Sequence, residues 1–242
     1  MPASPARAIG LLGGTFNPVH IAHLRAAEDV RERLALDQIE FVLSAVPPHK
    51  GDADLAPIGD RRAMLALALE DHPQFTLNTL EIDRSGRSYS IDTIRARQAT
   101  DPEAALTFIL GADAFAEIES WKDFADIFAA CNVCVMSRPG STIDEPPIAV
   151  AEAFCYDSSR GVFAHRSGRE LTFVPVTALM ISASDIRARR ATGRSIRYLV
   201  PSAVETYMAT HDLYGTATAD PKGTATAAPN SGAGPRGRTP TR

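Results

Sequence analysis

No stretch of the chain approaches the roughly 20 consecutive apolar residues that a membrane-crossing helix needs. The apolar run at residues 8–12 is also too short for the core of a secretory signal. The sequence therefore reads as cytoplasmic, with no membrane partner. Cysteine is scarce, with only Cys131, Cys134 and Cys155. The first two are spaced CxxC, but no second CxxC or HxxxH follows to complete the four ligands of a structural zinc. Residues 131–136 look like a buried strand, which points those two thiols to opposite faces, so reduced core cysteines are the plainer reading. A large excess of positive or negative charge is lacking too. A formal net charge of -4 argues against a protein that coats nucleic acid. It leaves room for a small anionic substrate, which a few local cations suffice to hold. The glycine-rich run near the start, at residues 10–14, is neither the dinucleotide fingerprint GxGxxG nor the phosphate loop GxxxxGK, and the histidines at 20 and 23 do not form the zinc-protease HExxH.

What is present suits a globular protein. The chain has 242 residues, 45% hydrophobic and 22% charged, enough to bury a substantial core. Residues 1–7 read as a flexible N-terminus and residues 8–214 as the folded domain. Residues 215–242 contain no aromatic residue and no Leu, Ile or Val, so they offer nothing to offset the entropy of ordering. They are expected to be disordered. Their net charge of +3 leaves -7 on the remainder. The sequence shows no internal repeat and does not fix the oligomeric state, and a homo-oligomer is compatible with it.

Within 8–214, strand-like runs at residues 8–12, 39–46, 75–82, 106–110, 133–136 and 171–174 alternate with helical periodicity. Helices are expected at residues 20–34, 61–69, 90–97, 121–129 and 148–154. This alternation predicts an α/β fold: a Rossmann-like, doubly wound parallel sheet with helices on both faces. Ligands of such sheets sit beyond the carboxyl ends of the strands. Residues 143–168 show no identifiable chemistry, and His165 and His211 are expected at the surface.

The first expected strand ends in Gly13-Gly14-Thr15-Phe16-Asn17-Pro18-Val19-His20-Ile21-Ala22-His23. Glycines allow a sharp turn and close approach of a ligand. The following helix start offers N–H groups and a partial positive charge to an anion. His20 and His23, three apart, share a face of its first turn. Near the other end comes Ile181-Ser182-Ala183-Ser184-Asp185-Ile186-Arg187. Ser182 or Ser184 is an N-cap for a helix ending near Gly193. Arg187, one turn inside, can present a bidentate fork to phosphate oxygens, a charge pair worth about 4 kcal/mol before desolvation. Arg189, Arg190 and Arg194 read instead as an ordinary basic helix end.

These two segments resemble the paired motifs of the nucleotidyltransferase superfamily. Ala22 stands where the family has glycine, Ala183 where it has serine, and Ser184 where it has threonine. Three further segments resemble its nicotinate-nucleotide adenylyltransferase branch. They are Pro47-Pro48-His49-Lys50, Ser88-Tyr89-Ser90-Ile91-Asp92-Thr93, and Phe108-Ile109-Leu110-Gly111-Ala112-Asp113 with Trp121, the only tryptophan. Arg138-Pro139-Gly140 resembles that branch too.

The resemblance implies transfer of the adenylyl group of ATP to nicotinate mononucleotide, giving nicotinate adenine dinucleotide and pyrophosphate in NAD biosynthesis. The partners it implies are those two small molecules, with Mg2+ accompanying ATP and no metal ligand supplied by the protein. ATP falls to Gly13, Gly14, Thr15, Phe16, His20, His23, Gly111, Asp113, Ser184 and Arg187, of which His20, His23 and Arg187 are the catalytic candidates. The mononucleotide falls to His49, Lys50, Ser88, Tyr89, Ser90 and Trp121. Nicotinamide mononucleotide, another phosphate acceptor, or a non-catalytic nucleotide sensor are the alternatives the sequence leaves open.

Overall fold

The computed structural model describes residues 6–45, 55–84, 86–137 and 143–215. Eight strands form one sheet in the order β3-β2-β1-β4-β5-β8-β7-β6. They are β1 Ala8–Gly14, β2 Gln38–Leu43, β3 Phe75–Asn78, β4 Ala105–Gly111, β5 Asn132–Ser137, β6 Phe154–Asp157, β7 Val162–His165 and β8 Glu170–Pro175. The six strands from β3 to β8 in this order pair in parallel, while β7 and β6 continue the sheet antiparallel. Parallel neighbours require crossovers. Helices make those that join β1, β2, β3, β4 and β5 in turn, and two more follow β8: α1 Ile21–Arg33, α2 Ile58–Leu69, α3 Leu80–Asp83, α4 Ser90–Thr100, α5 Ala112–Ala116, α6 Phe124–Ala130, α7 Ala183–Ala191 and α8 Ser202–Thr210.

Both faces of the central parallel strands are buried, which is why they read as continuous apolar runs. Alternate residues feed two cores. Leu12, Ile39, Phe41, Leu43, Ile109 and Cys134 point to one side, where Val30 of α1, Met64 and Leu65 of α2, Ile186 of α7 and Met208 of α8 cover them. Ile9, Leu11, Leu106, Phe108, Val133 and Val135 point to the other, against Ile91 and Ile94 of α4 and Phe128 of α6. Cys131 and Cys134 are both buried and fall in different cores. Burial pushes each thiol up to about 12, whereas Cys155 is exposed.

Several local expectations are corrected. The strand expected over 75–82 stops at Asn78, whose Oδ1 accepts the Leu80 N–H at 2.9 Å and starts α3. The helix expected over 121–129 starts only at Phe124, because Asp123 takes a left-handed φ of +47° just before it. Residues Ile148–Ala153 form a 3-10 helix rather than an α-helix. The stretch beyond them holds the β6–β7 hairpin, which carries little period-two signal in the sequence. His165, expected at the surface, is buried. Its ring packs edge-on to Phe154, with Nδ1 2.8 Å from Ser167 Oγ, and burial lowers its pKa, with Arg166 adding to the effect. His211 is exposed, stacked on Tyr207. Among the described residues no helix is long and apolar enough to cross a membrane.

Candidate active site

The strand order reverses between β1 and β4, so the loops leaving these neighbours diverge and open a crevice at their carboxyl ends. Gly13 and Gly111 stand at those two ends, and a side-chain carbon added to either would meet nothing within 4 Å. Gly14 differs. The ring of Phe16 lies across it, and a Cβ there would come within 2.7 Å of that ring, so only glycine fits. Phe16 itself is buried at a left-handed φ of +45°. Its ring meets Phe41 and the edge of His23, and this packing holds the strained backbone in place.

His20 is the N-cap of α1, in extended conformation. Its ring stacks on that of His23, with centroids 3.6 Å apart and planes 17° from parallel. The His20 backbone N–H donates to His23 Nδ1 at 3.2 Å. An acceptor nitrogen holds no proton, so the remaining proton of the neutral His23 ring sits on Nε2. One part of the sequence reading changes here. The Ile21 N–H donates to Leu199 O at 3.0 Å and the His23 N–H to His20 O at 3.0 Å, so these amides of the first turn are already used. The turn presents imidazole edges more than a row of bare backbone donors.

The second motif comes to the first through Asn17. Arg187 Nη1 donates to Asn17 O at 3.0 Å. Asn17 is buried, and its Oδ1 accepts the Ala56 N–H at 3.0 Å and the hydroxyl of Tyr214. Burial pushes the Tyr214 phenol up, against the opposing pull of Arg187 and Arg61, so it remains a donor at neutral pH. Between the two N-cap candidates the structure selects Ser182, whose Oγ accepts the Asp185 N–H at 3.2 Å. Ser184 Oγ lies 3.1 Å from Ser182 Oγ and is exposed. Ser184, Arg187, Ala56, Pro57 and Tyr214 line part of a groove of about 650 Å³.

Arg61 is a residue the sequence reading missed. It is 2% exposed and spends its guanidinium on four carbonyls: Ala56 O, Thr15 O, Ser44 O and Ala45 O, at 2.8 to 3.2 Å. Burial lowers its pKa, while the nearby Tyr214 works in the other direction. The available signal was its position, three and four residues before Met64 and Leu65 on the apolar stripe of α2, where a charge needs a reason.

On the other side of the crevice, α4 begins at Ser90 with no side-chain cap on its N-cap residue Tyr89. Trp121 is half-buried, its ring edge-on to Phe108 at 6.3 Å. Lys122, also unremarked in the sequence, bonds both oxygens of Asp92 at 2.9 Å and sits 5.1 Å from the Tyr89 ring centroid. The 88–93 segment and the tryptophan segment are thus brought together. Ser88 is buried, and its Oγ has no hydrogen-bond partner among the described residues. Thr93 Oγ1 donates to buried Glu81 at 2.7 Å. Arg97, further along α4, pairs with Glu40 of β2 at 2.8 Å and anchors the helix to the sheet. Asp113 is exposed, in the first turn of α5 rather than at the strand end itself. His49 and Lys50 lie outside the described residues, as do Arg138, Pro139 and Gly140. No trio of His, Cys, Asp or Glu among the described residues is placed to hold a metal.

A parallel sheet with two helix starts converging on its switch point, one bearing histidines and the other an arginine, defines a nucleotide-handling α/β protein. The cytidylyltransferase-like family model matches residues 11–189. A protein of Syntrophotalea carbinolica named "Probable nicotinate-nucleotide adenylyltransferase" is 46% identical over 210 residues, covering 85% of this chain and 96% of its own. One of the same name from Geotalea uraniireducens is 45% identical, covering 86% and 99%. The nicotinic acid mononucleotide adenylyltransferase of Plasmodium falciparum, solved in complex with NaAD, superposes with a TM-score of 0.66 at 18% identity, covering 86% of this chain and 97% of that one. At that identity the likeness is one of fold. The chain belongs to the cytidylyltransferase-like family and, within it, to the nicotinate-nucleotide adenylyltransferases, and is thus a nucleotidyltransferase.

Proposed function

We propose that this protein transfers the adenylyl group of ATP to the phosphate of nicotinate mononucleotide in NAD biosynthesis, releasing pyrophosphate. The observation that carries this reading is the junction at Asn17. It brings the histidine-bearing start of α1 and the arginine-bearing start of α7 to one crevice. In this reading a phosphate oxygen of the mononucleotide attacks the α-phosphorus of ATP. The bond from that phosphorus to the oxygen bridging the β-phosphate breaks, and pyrophosphate leaves with the electron pair.

The attacking phosphate is already largely a dianion at neutral pH, since its second pKa is about 6. No general base is therefore required. Catalysis falls to positioning and to charge stabilisation. His20 and His23 are assigned to the α-phosphate, with His23 Nε2–H a fixed donor. Ser184 and Arg187 are assigned to the β- and γ-phosphates. Gly13, Gly14, Thr15, Phe16, Gly111 and Asp113 line the ATP side. On the acceptor side, Ser88, Tyr89, Ser90 and Trp121 take the pyridine end, and His49 and Lys50 the phosphate. Magnesium would arrive with ATP and offset the charge of its phosphates. No trio of His, Cys, Asp or Glu among the described residues is placed to cage it.

The test is incubation of the purified chain with ATP, magnesium and nicotinate mononucleotide, read by mass spectrometry. Nicotinate adenine dinucleotide and pyrophosphate should appear in equal amounts, and neither with ATP alone. Absence of both products in the full reaction overturns the reading.

A further inference from the structure

The four carbonyls bound by Arg61 belong to three separate segments. Thr15 lies in the turn that leads from β1 to His20. Ser44 and Ala45 follow β2 and lead towards His49 and Lys50. Ala56 precedes α2 on the far side of those residues. Asn17 makes a second tie between two of the same segments through the Ala56 N–H, and it also receives Arg187. A guanidinium is planar and rigid, so four simultaneous acceptors fix the relative placement of all three segments. An isolated turn gains little from such a clamp. A reaction whose two phosphates must meet in line gains a great deal.

We propose that Arg61 is a positioning residue that couples the ATP-binding turn to the end of β2 at Ser44 and Ala45 and to the approach to α2 at Ala56. The proposal rests on the adenylyl-transfer reading for the identity of the two ligands. Its structural content is that ATP, held at His20, His23 and Arg187, fixes Thr15 and Asn17 and through Arg61 fixes Ala45 and Ala56. Lysine in place of Arg61 keeps the charge, but its three donors cannot span the same acceptors. A misplacement of about 1 Å is enough to cost about 10²-fold in turnover.

The experiment is amide hydrogen exchange on the full parent chain, with and without ATP and magnesium and with no acceptor nucleotide present. Coupling predicts that ATP slows exchange severalfold in peptides covering residues 41–57 as well as in those covering 13–24. Protection confined to 13–24 and 182–190 overturns the proposal. In Arg61→Lys, protection of 13–24 should persist while that of 41–57 is lost. Its kcat should fall about 10²-fold with both KM values near those of the parent. A folded Arg61→Lys whose kcat stays near the parent's overturns the proposal. If that variant does not fold, the exchange comparison on the parent decides alone. A parent that binds ATP but transfers no adenylyl group overturns the functional reading, while the exchange result still decides the coupling.

Discussion

Arg187 reaches across 170 residues of sequence to donate from Nη1 to the backbone oxygen of Asn17 at 3.0 Å. One arm of the guanidinium thus fixes the junction of the two motifs, and in the proposed reading the rest of the fork meets phosphate. Replacing Arg187 by alanine should lower kcat by about 10²- to 10³-fold, as the loss of a transition-state donor does in other enzymes. The lost hydrogen bond, with a charged donor, should cost about 1.5–3 kcal/mol of stability. Steady-state kinetics beside a melting curve separates the two. A large drop in melting temperature with little kinetic loss would make Arg187 structural.

The histidine pair carries a different expectation. Because Nδ1 of His23 accepts the His20 N–H, a long-range nitrogen–proton NMR correlation should show the Nε2–H tautomer for His23. Finding the proton on Nδ1 would remove the donor assigned to the α-phosphate. Substituting His20 by alanine should lower turnover by about 10²-fold. Turnover close to the parent's would remove that histidine from the central role.

Tyr214 stands close to the end of the described chain, yet its hydroxyl bonds Asn17 Oδ1. In Tyr214→Phe that oxygen keeps the Ala56 N–H, so no buried acceptor is orphaned. The variant should lose about 1 kcal/mol, a fall of about 2–4 °C in melting temperature for a chain of this size. An unchanged melting curve would mean that the C-terminal segment does not brace the junction.

The cysteines separate by reactivity. With the Cys131 and Cys134 thiols buried and pushed up to about 12, they stay protonated at pH 8, while Cys155 is exposed. Alkylation of the native protein at that pH should add one group rapidly, at Cys155, and three in denaturant. Equal rates at two or three sites would contradict the burial. Since four strands separate β6 from β1 in the sheet, labelling Cys155 should leave adenylyl transfer unchanged.

Much of this architecture was legible in the sequence because a sheet buried on both faces writes its strands as short apolar runs, and six of the eight strands were read that way. The β6–β7 hairpin was not, since Tyr156 and Cys155 are exposed and the edge has no strict alternation. The candidate site was legible where residues are local in sequence, as in the turn holding His20 and His23. What escaped were side chains whose partners are far along the chain. Asn17 stood inside the motif with no role suggested, because its partners Ala56, Arg187 and Tyr214 lie 39, 170 and 197 residues away. Arg61 escaped for the same reason, as carbonyl acceptors leave no trace in residue type.

The most direct test of the account compares nicotinate mononucleotide with nicotinamide mononucleotide as acceptor, by kcat/KM for pyrophosphate release with ATP and magnesium. The account predicts a strong preference for the acid, with the preference reduced when Trp121 or Ser88 is replaced by alanine. Preference for the amide, or no pyrophosphate with either acceptor, would contradict it.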